Sequence, residues 1–172
     1  MIIWLNGAFG SGKTQTADEL RRRIPHSYIF DPENAGFYIR DNIPAELSED
    51  DFQKHPLWRE FTYSMLKCID SEYNGTIIVP MTLVDPDYFM QIVGRLRSEG
   101  IVVRHFTLTA SPETLHSRLK DRGEGWSSWA AVQMERCLTG LENKVFECYV
   151  DTEQISIPEV AGIIMSLLET GE

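Results

Sequence analysis

Eight residues near the amino terminus, GAFGSGKT from Gly7 to Thr14, combine three glycines with a lysine and a threonine. They match the pattern GxxxxGK[ST] at every fixed position, and they follow a short apolar run that starts at Ile2. In loops of this pattern, backbone N–H groups and the positive end of the following helix surround a polyphosphate. The segment therefore predicts a binding site for a nucleoside triphosphate.

The residues of this loop have separate expected roles. Lys13 places its ammonium group on the β- and γ-phosphates, and the hydroxyl of Thr14 coordinates Mg²⁺. The backbone that wraps around the phosphates comes from Gly7, Gly10, Ser11 and Gly12. We expect ATP and Mg²⁺ as cofactors, with Lys13 among the catalytic residues. The plainer alternative, a glycine-rich turn with a surface lysine, is disfavoured by the length and setting of the motif.

A carboxylate follows the second apolar run, in the segment SYIFDPENAGF. Asp31 ends that predicted strand, and the carboxyl ends of neighbouring parallel strands all face the ligand crevice. A carboxylate there can accept the proton of a substrate hydroxyl or hold a magnesium-bound water. The alternative is that Asp31-Pro32 only starts a turn or helix. We assign Asp31 to catalysis and acceptor binding, and Phe37 and Arg40 to the acceptor pocket.

Three arginines lie around a flexible break, GEGWSS. Arg118 and Arg122 are four residues apart and share one face of a predicted helix, whereas Arg136 lies beyond the break. Such arginines neutralise charge on a transferred phosphoryl group, and a mobile lid carries them in; we predict this lid over about residues 118–136. Arg122 is assigned to catalysis, and Arg118 and Arg122 to nucleotide binding. A solvated helix face is the alternative, and it stays open for Arg118 and Arg136.

A polyphosphate site is shared by kinases, by hydrolytic switches or motors, and by nucleotide-dependent binding proteins. A guanine-specific switch normally carries NKxD, but Asn143-Lys144 is not followed by the aspartate. Motor ATPases usually end a strand with an acid near the magnesium ion, and here the third predicted strand has Pro80 at that place. The sequence therefore disfavours the switch and does not identify a second magnesium contact.

Apolar strand-like runs alternate with amphipathic helices along the chain. We predict strands at residues 2–5, 27–30, 76–79, 101–109 and about 146–150. Predicted helices cover residues 12–23, 51–73 (one helix or two joined near Pro56), 86–99, 111–122, 128–141 and 157–168. The helical stripe of Trp58, Phe61 and Met65 is typical of core residues.

The predicted strands are continuously apolar, which is typical of a parallel sheet that is covered on both faces. We predict an α/β fold in which helices and a five-stranded parallel sheet form a three-layer sandwich. At 172 residues, the chain is expected to form a single domain over residues 1–172.

Composition excludes several partners. The net charge of −10 disfavours nucleic acid, whose phosphates are bound by clustered Lys and Arg. Three widely spaced cysteines, Cys68, Cys137 and Cys148, fit neither a disulfide framework nor a metal site, and the four histidines show no ligand spacing. No apolar run reaches the ~20 residues of a membrane span, and no signal peptide is recognisable. We expect reduced thiols, a cytoplasmic location and no membrane association.

Several separate blocks resemble the bacterial tunicamycin-resistance proteins: GAFGSGKT with TQTADEL, FDPENAGFYIRD, DDFQKHPLWREF, IIVPMTLVDPDYF and SSWAAVQMERCLTGL. The likeness spans nearly the whole chain. That group is similar to small P-loop kinases such as chloramphenicol phosphotransferase and shikimate kinase. The resemblance implies a nucleoside-monophosphate-kinase-like fold with a small lid, ATP on the loop, an acidic base at Asp31, and lid arginines at Arg118 and Arg122.

These observations predict an ATP- and Mg²⁺-dependent phosphotransferase that acts on a hydroxyl of a small molecule. The resemblance indicates a nucleoside antibiotic such as tunicamycin as the acceptor. The first alternative is a nucleotide-binding protein that sequesters the antibiotic without chemistry, and the second is a stand-alone ATPase. The expected partners are a nucleoside triphosphate and a small-molecule acceptor, and the expected state is a monomer or homodimer.

Overall fold

The computed structural model describes residues 1–125 and 127–170. Trp126, in the predicted GEGWSS break, and residues 171–172, at the end of the predicted domain, lie outside the described residues. The strands are β1 (Ile2–Gly7), β2 (Ser27–Ile29), β3 (Thr76–Pro80), β4 (Val103–Thr109) and β5 (Tyr149–Asp151). The helices are α1 (Lys13–Arg23), α2 (Glu33–Asp41), α3 (Pro56–Glu72), α4 (Pro86–Phe89), α5 (Arg95–Ser98), α6 (Pro112–Asp121), α7 (Trp129–Val132), α8 (Met134–Leu141) and α9 (Ile157–Thr170).

The five strands form one sheet in the order β2-β3-β1-β4-β5, and every neighbouring pair is parallel. The central strand β1 pairs with β3 and β4, so that Ile2 is opposite both Ile77 and Val103. Parallel pairing brings the carboxyl ends of all strands to one edge of the sheet. The predicted phosphate loop follows β1 at this edge, and Asp31 follows β2.

Two hydrophobic cores lie on opposite faces of the sheet. Successive residues of β1 alternate between them, with Ile2 and Trp4 in one core and Ile3 and Leu5 in the other. Helices α1 and α9 contribute to the core of Ile3, whereas α3, α4 and α5 contribute to the core of Ile2. The predicted three-layer α/β sandwich is confirmed.

Several predicted elements have different limits in the structure. The segment predicted as helix from residue 51 contains a 3₁₀ turn at Phe52–Lys54, and α3 begins only at Pro56, where proline is favoured at the first helical position. The predicted helix over 128–141 is divided into α7 and α8, and the predicted helix over 86–99 contains a π-type segment at Met90–Gly94. The observed helices are therefore shorter than the predicted ones, while the predicted parallel sheet is present.

The last predicted strand was placed too early. Lys144–Phe146 forms a 3₁₀ turn, in which the Asn143 side chain accepts a hydrogen bond from the N–H of Val145, and β5 starts at Tyr149. Phe146 is fully buried, although it lies on the turn and not in a strand. Apolar residues at a buried turn resemble a short strand in sequence, which explains the error.

Only part of the apolar stripe on α3 lies in the hydrophobic core. Trp58 is fully buried, and its indole N–H donates to the carbonyl of Pro32 over 2.9 Å, which fixes α3 against the start of α2. Phe61, in contrast, is 44% exposed and lines an open groove with Met65, so the prediction of a core position was wrong for Phe61. In the described part of the chain, none of the helices combines the length and apolar character needed to cross a bilayer.

Candidate active site

A cavity of about 400 Å³ lies at the carboxyl edge of the sheet. It is lined by Lys13 and Thr14 of the loop, by Asp31 and Glu33 at the start of α2, and by Arg122 after α6. The strand order places these segments side by side, because β3 alone separates β1 from β2. Residues that are distant in sequence therefore meet around one space that could hold a nucleotide and an acceptor.

The loop fits closely against the body of the fold, which explains its glycines. Gly10 and Gly12 have φ of +85° and +92°, in the left-handed region that disfavours other residues. A Cβ on Gly10 would lie 2.8 Å from the carbonyl oxygen of Leu115, and a Cβ on Gly7 would lie 2.6 Å from that of Leu108. Side chains at these positions would push the loop out of shape. The backbone is thus free to surround a polyphosphate.

Asn6 holds the beginning of the loop in place. This fully buried residue accepts N–H bonds from Gly7 at 2.8 Å and Leu83 at 2.9 Å, and its amide donates to the Leu83 carbonyl at 2.7 Å. The hydroxyl of Thr82 also donates to the carbonyl of Gly7, over 2.9 Å. Sequence reasoning missed this link, although a polar residue at the end of the apolar run IIWLN was a usable signal.

The position of the Lys13 ammonium group suits the binding of an anion. Its ammonium donates to the carbonyls of Gly7 and Ala8, each at 2.9 Å, and lies 5.6 Å from the ring centroid of Phe9. Burial lowers the pKa of Lys13 from its ordinary value of 10.5 to about 8, and the nearby Glu33 carboxylate opposes this effect. A polyphosphate on the loop would place negative charge beside Lys13 and so stabilise its protonated form. The loop and Lys13 therefore fit ATP.

This pKa predicts a pH dependence of nucleotide binding. Lys13 is protonated below about pH 8 and loses its charge above it, so we expect the ATP affinity at pH 9 to be about tenfold lower than at pH 7. Isothermal titration calorimetry over pH 6.5–9.5 measures this change. The variant Lys13→Arg keeps its charge throughout, and its affinity, though lower overall, should not depend on pH. A wild-type affinity that is constant to pH 9.5 would contradict the prediction.

Asp31 lines the cavity and also begins a helix. Its Oδ1 accepts the N–H of Glu33 over 3.0 Å, which is the arrangement of a helix start, and the side chain remains partly exposed to the cavity. Asp31 can therefore begin the helix and face the cavity at the same time. The catalytic role of Asp31 stays a prediction.

Glu33 is a second carboxylate that sequence reasoning did not select. It lines the same cavity, and its pKa is raised, first by burial and then by the neighbouring Asp31 carboxylate, whereas Lys13 acts in the opposite direction. Two carboxylates with different surroundings can divide the roles of base and neutral hydrogen-bond donor. The signal in the sequence was an acidic residue in the first turn of a helix that follows a strand end.

The arginines of the predicted lid lie in three different places. Arg122 lines the cavity and donates to the side-chain oxygen of Gln15 over 3.2 Å. Arg118 donates to the hydroxyl and carbonyl of Thr152, at 3.0 and 2.5 Å. Arg136 forms an ion pair with the buried Asp51 at 2.8 Å, outside the lining residues of the cavity. Of these three arginines, Arg122 alone lines the cavity that contains Asp31 and Glu33.

A second cavity, of about 350 Å³, lies on the other side of the loop. Arg118 and Arg122 line it together with Gly12, Ser156 and Ile157. Since Gly12 and Arg122 also line the first cavity, the loop and the predicted lid separate two adjoining spaces. The second space also reaches the residues that follow β5.

The two predicted acceptor residues on α2 differ in position. Phe37 lines the first cavity. Arg40 is not among the described residues that line it: its side chain is paired with Asp41 at 3.2 Å and lies over the Phe37 ring at 5.1 Å. Further aromatic lining residues, which the sequence did not indicate, are Phe9, Phe52 and Trp129.

A family model described as an AAA domain matches residues 3–136. The tunicamycin resistance protein of Deinococcus radiodurans is 32% identical, with a TM-score of 0.82, and the match covers 97% of this chain and 94% of that chain. The chain belongs to the tunicamycin-resistance family of P-loop proteins. The resemblance noted in the sequence is thereby confirmed, and among curated proteins none matches.

More distant solved structures share the fold of this family member. The APS kinase of Mycobacterium tuberculosis, solved with AMPPNP and APS, is 16% identical with a TM-score of 0.67 over 98% of this chain and 96% of that chain. The shikimate kinase of Bacteroides thetaiotaomicron is 17% identical with a TM-score of 0.64 over 98% of each chain. At these identities the likeness shows the fold alone, which is the predicted P-loop kinase type.

Proposed function

We propose that this family member is an ATP- and Mg²⁺-dependent phosphotransferase that acts on a hydroxyl of a small molecule. The observation that carries the proposal is the single cavity in which the phosphate loop, with Lys13 and Thr14, faces Asp31 and Glu33. A simple binding protein needs no carboxylates opposite its phosphate loop. A phosphotransferase does, because an attacking hydroxyl must lose its proton.

The loop residues 7–14 would hold the phosphates of ATP, and Thr14 would coordinate Mg²⁺. When bound, ATP with Mg²⁺ supplies the phosphoryl group and the charge that neutralises it. Thr14 is exposed to the cavity, and Lys13 is already oriented toward the loop carbonyls. Arg118 and Arg122 would support the nucleotide from the second cavity, beside the backbone that follows β5.

The acceptor would lie between Asp31, Glu33 and Phe37. Asp31 accepts the hydroxyl proton. Glu33 lies beside it in the same cavity and supplies a second group that can hydrogen-bond the acceptor. Arg122 approaches from the predicted lid, residues 118–136, and stabilises the charge that develops on the transferred group. Closure of the lid would exclude water and so limit hydrolysis.

The acceptor we propose is a nucleoside antibiotic such as tunicamycin, because the Deinococcus relative is named for resistance to this compound. The test is to incubate the purified chain with Mg²⁺, γ-labelled ATP and tunicamycin, and to search for a product heavier by one phosphoryl group by mass spectrometry. A labelled product supports the proposal. Saturable tunicamycin binding without product would instead indicate sequestration, and phosphate release that tunicamycin does not accelerate would indicate an ATPase.

A further inference from the structure

An open groove of about 480 Å³ lies beside the active-site cavity, between the edge strand β2 and the helices α2 and α3. Its lining is mainly apolar, with Tyr28, Ala35, Tyr38, Leu57, Phe61 and Met65. Apart from Asp31, the residues that line this groove have no role in the proposed function, so the groove needs an explanation of its own.

The exposure of the lining residues is unusual. Tyr38 is 70% exposed, Leu57 62%, Tyr28 49% and Phe61 44%, and all four belong to the same groove. Single apolar side chains on a surface are normal, but a contiguous exposed group of them indicates a binding surface. Their shared position on α2, α3 and β2 therefore favours an apolar ligand.

The groove is continuous with the active site through one residue. Asp31 lines both the groove and the cavity that contains Lys13. Asn34, one turn further on α2, is the other residue with a carboxylate or amide side chain among the described residues that line the groove. Polar groups thus lie at the start of α2, and apolar side chains continue from there toward α3. This arrangement matches a ligand with a polar head and an apolar tail.

We propose that the groove binds the hydrocarbon tail of an amphiphilic acceptor whose hydroxyl lies at Asp31. This inference rests on the proposed function, because Asp31 is the residue that would accept the hydroxyl proton. The tail covers Leu57 and Phe61, and the burial of apolar surface supplies affinity that the small polar head alone does not provide. The substrate class is therefore lipid-tailed, hydroxylated small molecules.

Alkyl β-glucosides with methyl, hexyl, octyl and decyl chains, each below its critical micelle concentration, are suitable probes. Titration calorimetry should show that affinity rises with chain length, by about two- to fourfold for each methylene group that enters the groove. ATP with Mg²⁺ is titrated in parallel. Failure of ATP binding would count against the proposed function, whereas intact ATP binding with equal affinities for all four glucosides would overturn only the tail site.

The variant Leu57→Asp removes an apolar side chain from the groove, and an acidic residue in the first turn of α3 is compatible with the helix. We expect decyl glucoside to bind at least about tenfold more weakly, because two or more buried methylene groups lose their contacts. Phe61→Ser is the second variant. The control is Val102→Asp, which changes a residue that is 57% exposed just before β4, a strand that β3 and β1 separate from β2. Equal weakening by Val102→Asp would overturn the assignment.

A second copy of the chain is the competing occupant, because β2 is an edge strand with an exposed Tyr28. Sedimentation velocity distinguishes the two cases. A monomer, or a dimer that Leu57→Asp leaves intact, supports the tail site. A dimer that Leu57→Asp converts to monomer would show that the groove is an interface between copies, and this outcome would overturn the proposal.

Discussion

Replacing Asp31 by Asn is expected to lower the turnover number by about 10²–10⁴ and to leave ATP affinity nearly unchanged. The amide cannot take the proton of the acceptor hydroxyl, so the chemical step loses its base. Its oxygen can still accept the N–H of Glu33, which Asp31 bonds at 3.0 Å, and the start of α2 should stay folded. Steady-state kinetics with the phosphorylated acceptor as readout, together with ATP titration, measures both quantities.

Glu33→Gln is the matched control for this prediction. Glu33 lines the same cavity as Asp31, and its replacement by an amide of similar shape leaves the base at Asp31 in place. We expect a loss of turnover below about tenfold, far smaller than that of Asp31→Asn. If Glu33→Gln causes the larger loss, the base is Glu33 and the assigned roles of the two carboxylates are exchanged.

The phosphate loop and the sheet could be predicted because their signals are local. The motif of residues 7–14 has fixed spacing, and an apolar strand followed by an amphipathic helix is recognisable within about 20 residues. The order β2-β3-β1-β4-β5 is not local information, but parallel pairing could be inferred from continuously apolar strands. For these reasons the architecture was correct although several helix ends were not.

The residues that would bind the acceptor were less predictable, because it depends on the direction of each side chain on α2 whether it lines the cavity. Phe37 and Arg40 are three residues apart and were expected to share a pocket, yet Phe37 lines the cavity while Arg40 is paired with Asp41. Glu33 was missed because it could equally have been a solvated residue in a first helical turn. The packing of α2 against α3 and the 3₁₀ turn at Phe52–Lys54, which the sequence does not specify, holds Glu33 in the cavity.

The burial of individual side chains was also not readable from residue type. Phe61 lies on the same helical stripe as the fully buried Trp58, yet it is 44% exposed and lines the open groove. His105 shows the reverse case: it is almost fully buried against Phe89, at 4.8 Å between ring centroids, and burial lowers its pKa to about 4. Helical periodicity defines a face, but neighbouring elements decide how much of it is covered.

Gly10→Ala is the second prediction with a large effect. A side chain at φ +85° costs about 1–3 kcal/mol, and its Cβ would lie 2.8 Å from the Leu115 carbonyl. The loop can relieve this strain only by moving away from the position in which it would surround the phosphates. We therefore expect the affinity for ATP with Mg²⁺ to fall roughly a hundredfold, which corresponds to a loss of about 3 kcal/mol. Titration calorimetry measures the affinity.

Gly100→Ala is the control that distinguishes backbone strain from a close contact of the new side chain. Gly100 has nearly the same φ, +86°, but a Cβ there would have nothing within 4 Å, and the residue lies in the turn between α5 and β4, away from the loop. Both variants should lower the free energy of unfolding by about 1–3 kcal/mol through backbone strain, which thermal denaturation reports. Only Gly10→Ala should also lower ATP affinity. Equal ATP affinities in the two variants would mean that the loop does not bind the phosphates through its backbone.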